Sequence, residues 1–555
     1  ALEQRGSAQR RTEMDLSKSE VSAKPTTLEP GIVRALEAIV GAEAVLTSLE
    51  QRTFFSTDIA SRGVTAEAIV QVDDVRALSK VVRACTERGY IVIPRGGGFS
   101  YTGGYTPTET KTVLVDLRPM NRIVEINTED MYVVVEAGCT WERLYEALKA
   151  KGVRTPYFGP MSGYRATVGG ALSQGSFFLG STQFGTVSDS VLGLEVVLAD
   201  GTILKTGSGA SDETPNFFRQ FGPDATGLFL NDTGAMGFKA RAVLRLIPFP
   251  SHQAYGTFEF TSYQAAAKAV SEIGRSCLVA ECYCWDPYFV KLMAAASTGT
   301  KEDLRFLLNV IKAGSGLIDG LSAAARIAFF GRRVFSGDTW LMHVVIDDAS
   351  ALGAAAKLKL VRAMARAGGG NEVSPSAPRT LRGTPFTNFN VPERRTSLRN
   401  LPVHGLSPHS RAPAVAADVY TFLNAHKDEM DRIGIQCGVI FFAVGAQAMC
   451  IEPLIYWNDE EHFLHNRVEE RSDIAALDDY AERSEATKTA LALRDELKAL
   501  FRRHGCIHMQ IGRAYPWRQT REAATLKLLT TVKDAVDPNR LVNRGSLGFG
   551  GHRQD

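Results

Sequence analysis

Five glycines fall within the eleven residues Pro94-Arg95-Gly96-Gly97-Gly98-Phe99-Ser100-Tyr101-Thr102-Gly103-Gly104. They follow Tyr90-Ile91-Val92-Ile93, a β-branched and aromatic run with the character of a buried strand. Glycine tolerates positive φ and lets backbone N–H groups come close to a ligand, so such a turn after a strand can cradle a phosphate. Ser100, Tyr101 and Thr102 would add hydroxyl donors. A tight loop with no ligand accounts for the same residues. The stretch is not a Walker loop, because no Gly-Lys-Ser/Thr follows, and it is not a GxGxxG turn opening a helix.

A second small-residue run is Gly159-Pro160-Met161-Ser162-Gly163-Tyr164-Arg165-Ala166-Thr167-Val168-Gly169-Gly170-Ala171-Leu172-Ser173-Gln174-Gly175. It leads through Phe184-Gly185-Thr186 and Ser188-Asp189 to a strand at Val191 to Leu198 and the turn Ala199-Asp200-Gly201-Thr202. Near the other end stands Cys506-Ile507-His508-Met509-Gln510-Ile511-Gly512-Arg513-Ala514-Tyr515-Pro516-Trp517. Read as a strand, it puts His508 and Gln510 on one face. A histidine there has an unperturbed pKa suited to accepting a hydroxyl proton, and a histidine hydrogen-bonded in a domain seam fits the same position. Glu452, on an expected strand from Met449 to Tyr456, is placed to orient it. Tyr515 and Arg513 suit a phenolate or a carboxylate respectively, and Arg394, Arg395 and Arg399 form a further basic cluster.

The elements that must hold these residues follow from apolar periodicity. A short amphipathic helix is expected at Gly31 to Ile39, then a strand at Ala66 to Val72 and a helix at Asp74 to Arg88 with Val75, Leu78, Val81, Val82 and Cys85 on one face. Strands are expected at Thr112 to Asp116, Arg122 to Asn127 and Met131 to Glu136, and a helix at Trp141 to Lys151 capped by Thr140. The pattern halts at Pro248-Phe249-Pro250, an expected boundary. Beyond it come a strand at Tyr255 to Phe260, a helix at Tyr263 to Ile273, and strands at Leu278 to Trp285 and Thr339 to Asp347, an α+β order. Residues 305–331 alternate apolar runs with arginines, lysine and glycines, as buried or interface helices would, with a membrane-surface patch or mobile lid as the alternative. Residues 366–415, rich in glycine and proline, are expected to be mostly loop.

Together the Gly-rich segments resemble the flavin-binding domain of the vanillyl-alcohol oxidase / p-cresol methylhydroxylase (PCMH-type) family. The resemblance extends to Phe221-Gly222-Pro223-Asp224-Ala225-Thr226-Gly227-Leu228-Phe229 and Thr233-Gly234-Ala235-Met236-Gly237-Phe238, similar to a later FAD segment. It extends also to Asp537-Pro538-Asn539-Arg540-Leu541-Val542-Asn543-Arg544-Gly545, similar to a closing DPNxxxNPG. It implies FAD as cofactor, the first loop on its pyrophosphate and the second along the ribityl chain and ring. It also implies an α+β, two-domain fold: residues 1–28 a disordered lead, 29–250 the FAD-binding domain, 251–510 an antiparallel cap with helices over the flavin, and 511–555 a return to the first domain.

The family's signature chemistry can be checked position by position. Phe99 stands where some relatives attach flavin through histidine, and Leu398 where others attach it from the cap, so the resemblance implies noncovalent FAD, with His404 and His409 as the nearby alternatives. Met161 replaces the phenol-oxidising branch's aspartate. Val444-Gly445-Ala446-Gln447-Ala448-Met449-Cys450 and Arg503-His504-Gly505-Cys506 lack the metal ligands of the 2-hydroxy-acid branch, so no metal is expected. The implied activity is removal of a hydride from an alcohol or benzylic carbon of a small phenolic or aromatic compound, with oxygen, a cytochrome or a quinone as acceptor. A 2-hydroxy-acid dehydrogenase is the first alternative and a non-redox alkyl-glycerone-phosphate-synthase type the second.

Length and composition bound the rest. At 555 residues two or three domains are expected. Lys plus Arg number 63 against 61 Asp plus Glu, which gives no charge argument for nucleic acid. Eight cysteines with no CxxC pair suggest reduced, mostly buried thiols and a cytoplasmic location. No charged-then-apolar leader opens the chain and no run of ~18 uncharged apolar residues appears. A homodimer is a candidate assembly.

Overall fold

A computed structural model describes residues 30–296, 338–386, 398–458 and 485–550. The expected lead, the 305–331 stretch, Arg394 and Arg395 lie outside them. The first layer is a four-stranded sheet in which Ala68–Gln71, Thr112–Asp116 and Ile91–Arg95 run parallel, with Val45–Leu46 antiparallel at one edge. Both its faces are covered, as parallel strands require. Ala68, Val70, Val92, Val113 and Val115 enter one core, while Ile69, Ile91, Ile93 and Leu114 enter another. Helix Val75–Thr86, capped by Asp74 accepting from Arg76 and Ala77 N–H, buries the five apolar positions read from its periodicity.

A second sheet, all antiparallel, orders Ile123–Asn127, Tyr132–Glu136, Phe238–Arg245, Val191–Val197 and Ile203–Lys205. Helix Val168–Gln174 begins on its cap Thr167, which accepts from Gly170 N–H, and stops at Gly175 in the left-handed conformation. The C-terminal segment returns to the first sheet: Val92 N–H donates to Leu541 C=O, and Asn543 N–H to Val92 C=O.

The cap is an antiparallel sheet whose central strands are His252–Phe260, Trp340–Asp348, Glu281–Trp285, Gln436–Val444 and Ala448–Asn458. Strand alternation divides it cleanly. Ile440, Phe442 and Val444 face a core shared with the flavin-side sheet, whereas Val439, Phe441 and Ala443 pack under helices Tyr263–Arg275, Ala351–Ala367, Ala412–Ala425 and Glu485–Arg503. A buried charge cluster ties the short strand Val153–Arg154 to this sheet. Arg154 donates to Asp347 at 2.7 Å, and Arg382 donates to both Asp347 and Glu281.

Two expectations need correction. Among its described residues the 366–415 stretch holds more regular structure than a loop-rich reading expects: strand Asn371–Val373, helix Ser376–Gly383, edge strands Leu398–Pro402 and Gly405–Pro408, and the start of helix Ala412–Ala425. Pro402 and Pro408 end edge strands, and Pro378 and Pro413 sit in a first helical turn, where the missing N–H costs nothing. Likewise Cys506–Gly512 is not a strand; only Ile507 bridges, to Leu406. Gln510 (φ 52°) and Gly512 (φ 55°) are left-handed, which breaks alternation. No helix among the described residues is long and apolar enough to cross a membrane, and all eight cysteines are free, six of them buried.

Candidate flavin site and reaction centre

The two Gly-rich stretches face each other across a cleft of about 210 Å³. Of the expected cofactor residues, Pro94, Gly96, Gly97, Gly98, Phe99, Ser100, Tyr101, Gly104, Pro160, Thr167, Gly169, Gly170, Ser173, Gly234 and Gly237 line it. Several glycines serve loop-on-loop packing. A Cβ on Gly97 would stand 2.1 Å from Arg165 C=O, and one on Gly234 (φ 71°) 2.7 Å from Pro94. Among the described residues the backbone N–H groups of Gly97, Gly98, Phe99 and Ser100 donate no hydrogen bond, so they remain available to an anion. Gln174 Oε1 and Thr233 Oγ1, both in the cleft wall, are buried without a partner. Unmade bonds of this kind fit a polar ligand lying along both loops.

The remaining expected residues sit behind this wall. Arg95 is buried between Phe54, Phe55 and Tyr105 under the loop, and burial lowers its pKa. Val168 and Phe238 are core residues. Gly163 packs on Phe386, Gly175 on Asn231 and Met509, and Gly185 on Asp189. Ser188 donates to Asn231. Met161 packs on the core beside the cleft, and Arg544 faces Glu109. Asn543 is a clamp. Its Nδ2 donates to Gly104 C=O at 2.8 Å and Thr233 C=O at 2.6 Å, and its Oδ1 accepts from Arg513 at 2.7 Å. Arg513 also donates to Gly103 and Arg544 C=O, and burial lowers it to about 10. Lys239, paired with Asp232 at 2.7 Å, forms part of the cleft floor. Nothing in its alternating strand marked it beforehand.

At the cap end of the cleft Tyr101 and Gln510 both line the wall, and their side chains are hydrogen-bonded. Gln510 N–H is fixed by Gln174 C=O at 2.7 Å. Glu452 faces Tyr101 from the cap strand Ala448–Asn458, and burial raises its carboxyl to about 7. Burial, reinforced by Glu452, also raises the Tyr101 phenol. His404, in the turn between the two cap edge strands, lies 3.9 Å from Glu452 and is fully buried. His508 stands one layer back. It stacks on Tyr515 (4.2 Å between ring centres, 19° between planes), its Nδ1 donates to His404 C=O, and burial lowers its pKa. His508 and Tyr515 open onto a separate cavity with Met236, Trp517 and Phe549. The structure therefore puts Tyr101 and Gln510 in the cleft wall, with Glu452 acting on Tyr101 from the cap strand, and puts His508 and Tyr515 on the separate cavity.

Comparison with known proteins agrees with this architecture. Residues 66–207 match a family model described as an FAD binding domain. The chain is 31% identical over 207 residues to the glycolate oxidase subunit GlcD of Bacillus subtilis, covering 37% of this chain and 42% of that protein. It is 26% identical over 226 residues to the mitochondrial D-lactate dehydrogenase [cytochrome] 1 of Saccharomyces cerevisiae, covering 40% and 37%. The chain thus spans about two fifths of the length of these curated relatives. Over nearly the whole chain the fold is similar to an alkyldihydroxyacetonephosphate synthase (TM-score 0.69, 15% identity, 94% of this chain and 86% of that one). It is equally similar to p-cresol methylhydroxylase with substrate bound (0.67, 18%, 94% and 96%) and to 4-ethylphenol oxidase from Gulosibacter chungangensis (0.66, 18%, 95% and 98%). Residues 66–207 are therefore an FAD-binding domain, within a chain that has the PCMH-type fold of the FAD-linked oxidoreductases in the vanillyl-alcohol oxidase / p-cresol methylhydroxylase family.

Proposed function

We propose that the chain is an FAD-dependent oxidoreductase that oxidises an alcohol or benzylic carbon of a small, aromatic or phenolic substrate. The observation that carries this reading is the pair Tyr101 and Gln510 in the cleft wall, with the Glu452 carboxyl of the cap strand acting electrostatically on Tyr101. The loops at 96–101 and 167–174 would hold the cofactor, and bound FAD supplies a hydride acceptor. This chain's residues supply the proton half of the reaction. In an alcohol, the O–H proton passes to a Glu452 carboxylate oxygen as the C–H bond gives up its hydride. A carboxyl ionising near neutrality is matched to that task. Gln510 and Tyr101 orient the hydroxyl. Arg513 and Asn543 hold the loop, and His508 and Tyr515 buttress the centre from behind.

Oxidation of a 2-hydroxy acid is the second reading, favoured by the local similarity to a glycolate oxidase subunit and a D-lactate dehydrogenase. A non-redox synthase is the third, on fold likeness. Anaerobic mixing of the FAD-loaded protein with phenolic alcohols, alkylphenols and 2-hydroxy acids separates the three. Bleaching by the first two groups supports the proposal, bleaching by the last alone supports the second reading, and turnover without net bleaching supports the third. His508→Asn and Glu452→Gln then divide the proton role. A fall of ~10²-fold or more in reduction rate is expected for Glu452→Gln. The same fall in His508→Asn alone would transfer the role to His508.

A further inference from the structure

His404 is held from several directions, and one atom is left bare. Its Nε2 lies 2.6 Å from Met509 C=O. A carbonyl only accepts, so Nε2 carries the ring hydrogen and the neutral ring presents an unprotonated Nδ1. That Nδ1 is buried, makes no hydrogen bond, and lies 3.9 Å from Glu452 Oε1. Phe177 packs edge-on against the ring at 5.6 Å and Tyr515 lies at 5.4 Å. The backbone is pinned as well: His404 N–H donates to the Tyr515 hydroxyl, and its C=O accepts from His508. The ring cannot turn to offer a donor without giving up the Met509 bond.

A bare lone pair beside a carboxyl acts in one direction. It can accept from a protonated carboxyl and repels a carboxylate. The other titratable groups facing Glu452 are the Tyr101 and Tyr515 hydroxyls and the Cys450 thiol, all neutral near pH 7. His508 adjoins His404, and Lys498 and Arg494 lie beyond Tyr515. Burial keeps the His404 ring uncharged, its pKa lowered to about 3. The 3.9 Å separation is about 0.7 Å beyond the usual hydrogen-bond range, within reach of a carboxyl rotation.

Resting on the oxidoreductase reading for the origin of the proton, we propose that His404 is the positioning residue of the reaction centre, its Nδ1 accepting from the Glu452 carboxyl once that group has taken the substrate's hydroxyl proton. The O–H bond of the substrate breaks and the O–H bond of Glu452 forms. His404 stays neutral and gives the new acid a fixed partner.

The coupling is measurable without any substrate. Infrared difference spectra of the FAD-loaded protein between acid and alkaline pH should show one buried carboxyl C=O band titrating near neutrality and missing in Glu452→Gln. His404→Phe removes the lone pair facing Glu452 while keeping a ring in its place, and His404→Leu removes it with a smaller apolar side chain. In either variant, with FAD retained, the midpoint should move to lower pH by about one unit, tenfold in the acid constant. An unmoved midpoint in a folded variant overturns the proposal. So does a wild-type Glu452 band that titrates below pH 5. Nitrogen-15 NMR of histidine-labelled wild-type protein gives an independent check: a His404 signal with hydrogen on Nδ1 refutes the assignment even where both variants fail to fold. If the midpoint shifts but no candidate substrate bleaches the flavin, the His404–Glu452 coupling stands and the oxidoreductase reading falls.

Discussion

Asn543 offers a sharp test of how the cofactor loops are held. Its buried side chain makes three hydrogen bonds, to Gly104 C=O, Thr233 C=O and Arg513. Asn543→Ala strands two buried carbonyls and removes one acceptor from a guanidinium that keeps its bonds to Gly103 and Arg544. At about 1–3 kcal/mol for each unsatisfied buried carbonyl, the two together cost about 2–6 kcal/mol. Alanine also pays about 1 kcal/mol more to hold the left-handed φ of 44° that asparagine tolerates. Because both clamped carbonyls belong to cleft-lining segments, we expect the loss to appear chiefly in the cofactor. FAD affinity should fall by ~10²-fold, or about 2.7 kcal/mol. Titrating apoprotein with FAD and following flavin fluorescence measures it directly. Asn543→Gly removes the same side chain without the φ penalty and should bind slightly better than the alanine variant. Affinity within about threefold of wild type would show that the clamp does not shape the site.

Gly97→Ala should abolish FAD binding while leaving the cap intact, since its Cβ would overlap Arg165 C=O at 2.1 Å; a yellow, fully loaded variant would contradict the packing argument. Arg382→Met strands Glu281 and leaves Asp347 with Arg154, so apoprotein stability should drop by about 3–5 kcal/mol, read as earlier proteolysis between the domains; unchanged protease resistance would count against it. Glu452 ionises at about 7 in the folded protein against 4.5 ordinarily. Its raised pKa costs nothing below pH 4.5, and destabilises increasingly from there to about pH 7. Glu452→Gln should therefore gain stability over wild type as pH rises from 5 to 8, by on the order of 2–3 kcal/mol. A difference that stays flat across that range refutes the buried-acid assignment. The flavin should leave with the solvent on denaturation, and fluorescence migrating with the 60.4 kDa chain on a denaturing gel would instead place a covalent link on the protein.

Local order in the sequence settled the elements whose stability is local or whose burial is uniform. Strand Thr112–Asp116 appears as its unbroken β-branched run implies, and Asp74 and Thr140 cap the helices they precede. The glycine runs pointed to a cleft because close backbone approach leaves few other residue choices, and fifteen of the expected cofactor residues do line it. Periodicity failed where tertiary contacts overrode it. At 506–512 the chain crosses from cap to cleft, and the bonds of Gln510 N–H to Gln174 and of Met509 C=O to His404 impose left-handed turns on a sequence that alternates like a strand. That geometry puts Gln510 in the cleft wall and His508 on the separate cavity. The pairing of His404 with Glu452 was also out of reach of sequence, because the two lie 48 positions apart and His404 reaches Glu452 only from the turn that the register of Leu398–Pro402 and Gly405–Pro408 on Ala448–Asn458 holds in place. A side chain's type is written in the chain, whereas its protonation depends on which lone pairs and which apolar walls the fold places around it.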